Sequence, residues 1–167
     1  MWARLAEIDR EVSQYIHQSE LGILDYVVVI FALMCSVVGI PVITLVIFWL
    51  LGQHAAFVYA GTVIGGLVIT TILKRAFKRN RPTKHAERYI QLRWMENNFS
   101  FPSGDSYQAG ALAAFLITAD ADNFYFAGLT ILVAFARVYF GFHWVGDTIA
   151  GASLGVLITQ FTFLRFL

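Results

Sequence analysis

Apolar residues fill this chain in long blocks separated by short polar breaks, and the block lengths carry the first inference. Between Tyr26 and Leu73 no Asp, Glu, Lys or Arg occurs, and a helix needs only about 20 such residues to cross the hydrocarbon core of a bilayer. Residues 25–51, 55–73, 106–119, 124–142 and 147–166 read as five spans. The first is long for one crossing and short for two. Gly39 and Pro41 interrupt it, which predicts a kinked helix or a half-helix leading into a full span. Ahead of it, Trp2, Leu5, Ile8, Val12, Tyr15 and Ile16 recur at helical spacing among charged neighbours, the pattern of an amphipathic helix lying in the interface over residues 1–21. Acidic Glu7, Asp9 and Glu11 stand where a signal peptide is basic, so this segment is expected to stay in the mature chain.

Composition agrees with the pattern. The chain is 58% hydrophobic and 14% charged, against roughly 25% charged residues in soluble domains. This excludes an ordinary soluble protein and a disordered one. Lys plus Arg is 12 and Asp plus Glu 11, a net charge of +1, which gives no basis for nucleic-acid binding. The single Cys35 rules out a disulfide framework and reads as a small packing residue. The expected fold class is therefore all-α, an integral membrane helical bundle of about five transmembrane helices plus the interfacial helix. It forms a single domain over 1–167, with the bundle at 22–167. Gly61 with Gly65, and Gly151 with Gly155, have the spacing that lets such helices pack closely.

One stretch breaks the apolar pattern. Residues 74–105 carry eight of the 12 basic residues, Lys74, Arg75, Lys78, Arg79, Arg81, Lys84, Arg88 and Arg93, against Glu87, Glu96 and Asp105. An excess of Lys and Arg in a loop ordinarily marks the cytoplasmic side. Residues nearer the C-terminus give this loop a chemical reading instead. Between the last two spans stand Arg137, His143 and Asp147 in otherwise apolar or small surroundings, and ionisable groups at the edge of membrane helices are costly and are functional candidates by default. His143 and Asp147 are four apart, so a helix starting near His143 puts them on one face, where the carboxylate can hold the imidazole in one tautomer.

Just before the third expected span, Pro102, Ser103 and Gly104 form a helix start whose free N–H groups and dipole suit an anion such as phosphate. Lys74, Arg81 and Arg137 supply cations from separate segments. Cations, a helix N-terminus and an oriented histidine together point to phosphoryl transfer through a histidine nucleophile. No cluster has metal-ligand spacing, so no metal or other cofactor is expected. His17, His54 and His85 fit no pattern.

On these residues the chain resembles the type 2 phosphatidic acid phosphatase family of membrane lipid phosphatases. That family carries K-x6-R-P, P-S-G-H and S-R-x5-H-x3-D. Here Lys74 leads to Arg81-Pro82 at the first spacing, Pro102-Ser103-Gly104 covers most of the second motif, and Arg137, His143 and Asp147 stand at the spacing of the third. The resemblance runs from about residue 22 to the C-terminus, with 74–105 as active-site loop. It implies metal-free dephosphorylation of a lipid phosphate or diphosphate. His143 would become phosphohistidine, Asp147 would orient it, and Lys74, Arg81, Ser103, Gly104 and Arg137 would hold the phosphoryl oxygens.

Two positions depart from the pattern. Ala136 replaces the serine that opens the third motif, and Asp105 replaces the histidine that ends the second, the family's proton donor. Asp105 is thereby the candidate acid. A free aspartate titrates near about 3.9, and the surrounding cations are expected to hold Asp105 low. That favours diphosphates, whose leaving group needs little protonation, or an acidic optimum on monophosphates.

Competing readings are a non-catalytic lipid-binding or scaffold protein on the same fold and a lipid phosphotransferase. A transporter gains little from polar groups gathered at one end of the spans. Arg88, Tyr89, Arg93 and Trp94 serve equally well as a headgroup lid or as interfacial anchors. The expected partners are the bilayer and a lipid phosphate, with no obligate protein partner. The expected location is a bacterial cytoplasmic membrane, with the catalytic cations on the extracytoplasmic side.

Overall fold

The computed structural model describes residues 2–36, 38–82 and 99–166. Arg88, Tyr89, Arg93 and Trp94, the candidate lid, lie outside the described residues, as do Lys84, His85, Glu87 and Glu96. In chain order the helices are α1 (Trp2–Gln18), α2 (Asp25–Met34), α3 (Gly39–Phe77), α4 (Gly104–Ala119), α5 (Phe126–Tyr139) and α6 (Val145–Phe166), with short 3-10 turns before α2 and α5.

This is the expected all-helical membrane bundle with a separate amphipathic helix at its start. Among the described residues, three helices are long and apolar enough to cross a membrane alone: α3, the segment Ala121–Tyr139 and α6. α1 and the segment Gly22–Met34, which contains α2, are bent by 106° to one another, and together they make a fourth candidate. α2, with 10 residues, and α4, with 16, are shorter than the length a lone span needs. α4 is the central pillar of the bundle, with Ser106 through Phe115 all buried. Exposed Ile64, Ile72, Ile131, Leu157 and Phe161 form part of the apolar exterior that lipid chains would cover.

The breaks in the first apolar block fall elsewhere than Pro41. Helix α2 ends at Met34 and α3 begins at Gly39, so Pro41 lies in the first turn, where its missing N–H has no intrahelical role. Further along, Gly52 has φ 90° and ψ 173° and divides α3 into arms 39–51 and 53–77. Asp25, at the start of α2, accepts from the hydroxyl of Tyr139 at the end of α5, and that same face holds the end of α3. The chain therefore crosses the bundle and returns between Asp25 and Lys74.

Packing around α4 uses glycine backbone against backbone on the α6 side, and on α3 at Gly66, where a Cβ would meet the Tyr107 ring, but not at Gly61 or Gly65. A Cβ on Gly151 would collide with the Ser103 backbone, one on Gly155 with the backbone of Tyr107 and Ala111, and one on Gly110 with that of Ala152. Backbones of α4 and α6 thus touch along their length, as small-residue interfaces in membranes allow. Gly61 and Gly65 have open space where a Cβ would go. Gly151→Ala and Gly155→Ala should each cost about 1–3 kcal/mol from overpacking, whereas Gly61→Ala and Gly65→Ala should be neutral or gain up to about 1 kcal/mol in helix propensity. Thermal unfolding of the four variants in detergent checks this, and equal melting shifts for both pairs would contradict the assignment.

Candidate active site

The polar ends of α3, α4, α5 and α6 meet at one face. The Ser103 N–H donates to the Asp147 carbonyl at 3.0 Å, which fixes the start of α4 against the start of α6. Ser103 caps α4, its hydroxyl accepting from the Ser106 N–H at 3.3 Å. Gly104 follows as the first helical residue, so its N–H lies at the positive end of the helix dipole.

Around this turn stand the cations predicted from spacing. Lys74 is buried in the last turn of α3 and donates to the carbonyls of Phe99 and Ser100 at 3.4 and 3.3 Å. Arg81 donates to the carbonyls of Phe142 at 2.7 Å and Phe99 at 3.2 Å. Arg137 is buried at the end of α5, with its guanidinium 4.5 Å from the Phe142 ring centroid and paired to Asp105 at 2.9 Å. Backbone carbonyls from two loops thus hold long side chains that would otherwise lose much entropy on ordering.

His143 is 2% exposed in the turn between α5 and α6. Its Nδ1 faces Asp147 Oδ2 at 3.6 Å, longer than a hydrogen bond, though catalytic contacts often tighten only when substrate binds. Nε2 is then the nitrogen left for chemistry. Burial, reinforced by Lys74, Arg81 and Arg137, holds its pKa well below the ordinary 6.5, which keeps the ring neutral, as a nucleophile must be.

Asp105 differs from the expectation. Burial pushes its carboxyl up to about 7, against the downward pull of Lys74 and Arg81. Desolvation outweighs the cations because the side chain is only 17% exposed, and the spacing of charges along a chain carries no information about burial.

Two groups at the site gave no recognisable signal in the sequence. Arg79 donates to Asp147 Oδ1 at 2.7 Å, yet along the chain it is one basic residue among eight. Ser100, fully buried, donates its N–H to the Arg79 carbonyl at 2.8 Å and its hydroxyl to that same carbonyl at 3.1 Å. It stands just ahead of the second motif, and a serine there is an ordinary loop residue. His17, assigned no chemistry, packs structurally, with Nδ1 2.9 Å from the Tyr139 carbonyl. His85 lies outside the described residues.

The model of the PAP2 superfamily matches residues 55–166. The chain belongs to the PAP2 superfamily. Among solved PAP2 structures it is similar to a transmembrane phosphatidylglycerolphosphate phosphatase from Bacillus subtilis, at 21% identity and a TM-score of 0.79, over 96% of this chain and 85% of that one. It is also similar to Aquifex aeolicus LpxE, at 20% identity and a TM-score of 0.76, over 93% and 94%. At these identities the likeness shows the membrane fold. No curated protein sequence matches the chain.

The electrostatics of this PAP2 site yield a direct expectation. At pH 6.5, where a free imidazole is half protonated, 15N spectra of histidine-labelled protein should show His143 as neutral. An imidazolium signal from His143 at that pH would contradict the balance described.

Proposed function

We propose that this PAP2 protein is a membrane-embedded lipid phosphatase that removes phosphate from a lipid phosphate or diphosphate through a phosphohistidine. The observation that carries the reading is the convergence of a neutral, buried histidine and its carboxylate with three cations and a helix N-terminus. A scaffold has no physical use for the first pair. Phosphate recognition needs several donors around one dianion, and Lys74, Arg81, Arg137, Ser103 and the Gly104 N–H supply them.

In the reaction so read, Nε2 of His143 attacks phosphorus as the bond to the leaving oxygen breaks. Asp147 Oδ2 accepts a hydrogen bond from Nδ1–H and stabilises the positive charge that develops on the ring. Asp105 passes its proton to the leaving oxygen. Water, giving a proton back to the Asp105 carboxylate, then attacks the phosphohistidine and breaks its P–N bond, releasing inorganic phosphate and restoring the imidazole. Because Asp105 titrates near 7, and a bound dianion would raise it further, protonated acid is available at neutral pH. Monophosphate esters, whose alkoxide leaves only with a proton, are then substrates as well as diphosphates. Phosphatidic acid, phosphatidylglycerophosphate and isoprenoid diphosphates all have the required headgroup.

A groove of about 760 Å³ adjoins the site. Leu5, Ile8, Val12, Phe77, Phe101 and Ile149 line it beside Arg79 and Asp9. An apolar channel next to a phosphate site suits a substrate with a hydrocarbon tail.

Release of inorganic phosphate from phosphatidic acid and undecaprenyl diphosphate by the purified protein tests the activity. His143→Ala should abolish it and Asp147→Asn should lower it by orders of magnitude with the fold retained. Turnover by His143→Ala at the wild-type rate would refute the mechanism. The rate on phosphatidic acid should fall as pH rises through about 7, because Asp105 must carry its proton. Asp105→Asn should lose more rate on the monophosphate than on the diphosphate; equal losses would remove Asp105 as the acid.

We also infer that the site faces the extracytoplasmic side of a bacterial cytoplasmic membrane, the cations being there to bind phosphate. A cysteine placed within 83–98 should react with an impermeant thiol reagent on intact spheroplasts. Labelling only after permeabilisation would reverse the orientation.

A further inference from the structure

A line of polar contacts joins α1 to the site and uses no motif residue of α1. Arg79 donates to Asp147 Oδ1 at 2.7 Å through Nη1 and to Asp9 Oδ2 at 2.5 Å through Nη2. The other oxygen of Asp9 accepts from the Gly146 N–H at 2.8 Å. One turn further along α1, the Ser13 hydroxyl accepts from the Val145 N–H at 2.9 Å. Two α1 side chains therefore satisfy the first N–H groups of α6, which have no intrahelical partner.

The consequence falls on Asp147. Its Oδ1 is taken by Arg79, and its Oδ2 accepts from the Trp144 N–H at 3.0 Å while facing His143 Nδ1. A carboxylate held through both oxygens cannot rotate away from the imidazole. The planar guanidinium suits this task, since its donors are fixed relative to one another. Its second nitrogen is held in turn by Asp9, so the position of Arg79 depends on α1.

We propose that Arg79, clamped by Asp9, is a positioning residue that fixes the Asp147 carboxylate for His143, and that the amphipathic helix α1 is thereby part of the catalytic apparatus. This rests on the lipid phosphatase reading. Arg79 acts through Asp147 and does not hold the phosphate. Loss of Arg79 or Asp9 therefore slows turnover and leaves substrate affinity in place. Asp9→Glu, which keeps the charge, preserves the arrangement.

The test is steady-state kinetics of the full-length protein on phosphatidic acid. Arg79→Gln and Asp9→Asn should each lower kcat about 10- to 100-fold, the scale of a small misplacement of catalytic groups. KM should stay within about twofold, and Asp9→Glu should retain most of the wild-type kcat. The double variant should be no slower than Arg79→Gln alone, because the two residues act as one unit. A large rise in KM with kcat retained would make Arg79 a phosphate ligand and overturn the proposal, as would unchanged kcat or independent, additive losses. If the wild type has no His143-dependent turnover, the phosphatase reading fails, and the arrangement is decided by 15N spectra of His143. The proposal requires one Nδ1–H tautomer in the wild type and a mixture in Arg79→Gln. The same single tautomer in both overturns it.

Discussion

Where α4 meets α6 the two backbones touch, since Gly110, Gly151 and Gly155 carry no Cβ to hold them apart. The rest of the site depends on that contact. It brings the Ser103 N–H onto the Asp147 carbonyl, which sets the start of α4 against the start of α6. From there the Ser103–Gly104 turn and the carboxylate facing His143 share one frame. A side chain in place of any of the three glycines would move the two halves of the site apart.

The second constraint is charge. Lys74 and Arg137 are buried, Arg79 and Arg81 partly so, at one end of an apolar bundle, and buried charges are tolerated only when paired or hydrogen-bonded. Asp147 and Asp9 take Arg79, Asp105 takes Arg137, and loop carbonyls take Lys74 and Arg81. Burial, reinforced by the cations, makes His143 hard to protonate, and burial makes Asp105 hard to ionise. One dry environment thus moves the two groups in opposite senses, the imidazole toward its neutral form and the carboxyl toward its protonated one, the separation that acid and base chemistry requires.

Much of this is legible along the chain, for a physical reason. The spacings from Lys74 to Arg81 and around His143 report residues at helix ends, where local geometry brings them together. The all-helical membrane class follows from apolar block length. Contacts between distant segments leave no such periodic trace. In the sequence Arg79 looks like one more basic residue, Asp9 and Ser13 like the polar side of an interfacial helix, and Ser100 like a loop serine. Charge spacing misjudges the titration of Asp105 because burial is a property of the fold.

The central claim is that His143 carries the phosphoryl group. Its most direct test is to mix the protein with a 32P-labelled lipid phosphate, quench in alkali, where phosphohistidine survives, and map the label. The account predicts an acid-labile, alkali-stable adduct on the peptide containing His143, absent from His143→Ala. Label on another residue, or turnover by the wild type with no adduct under rapid quench, would contradict it.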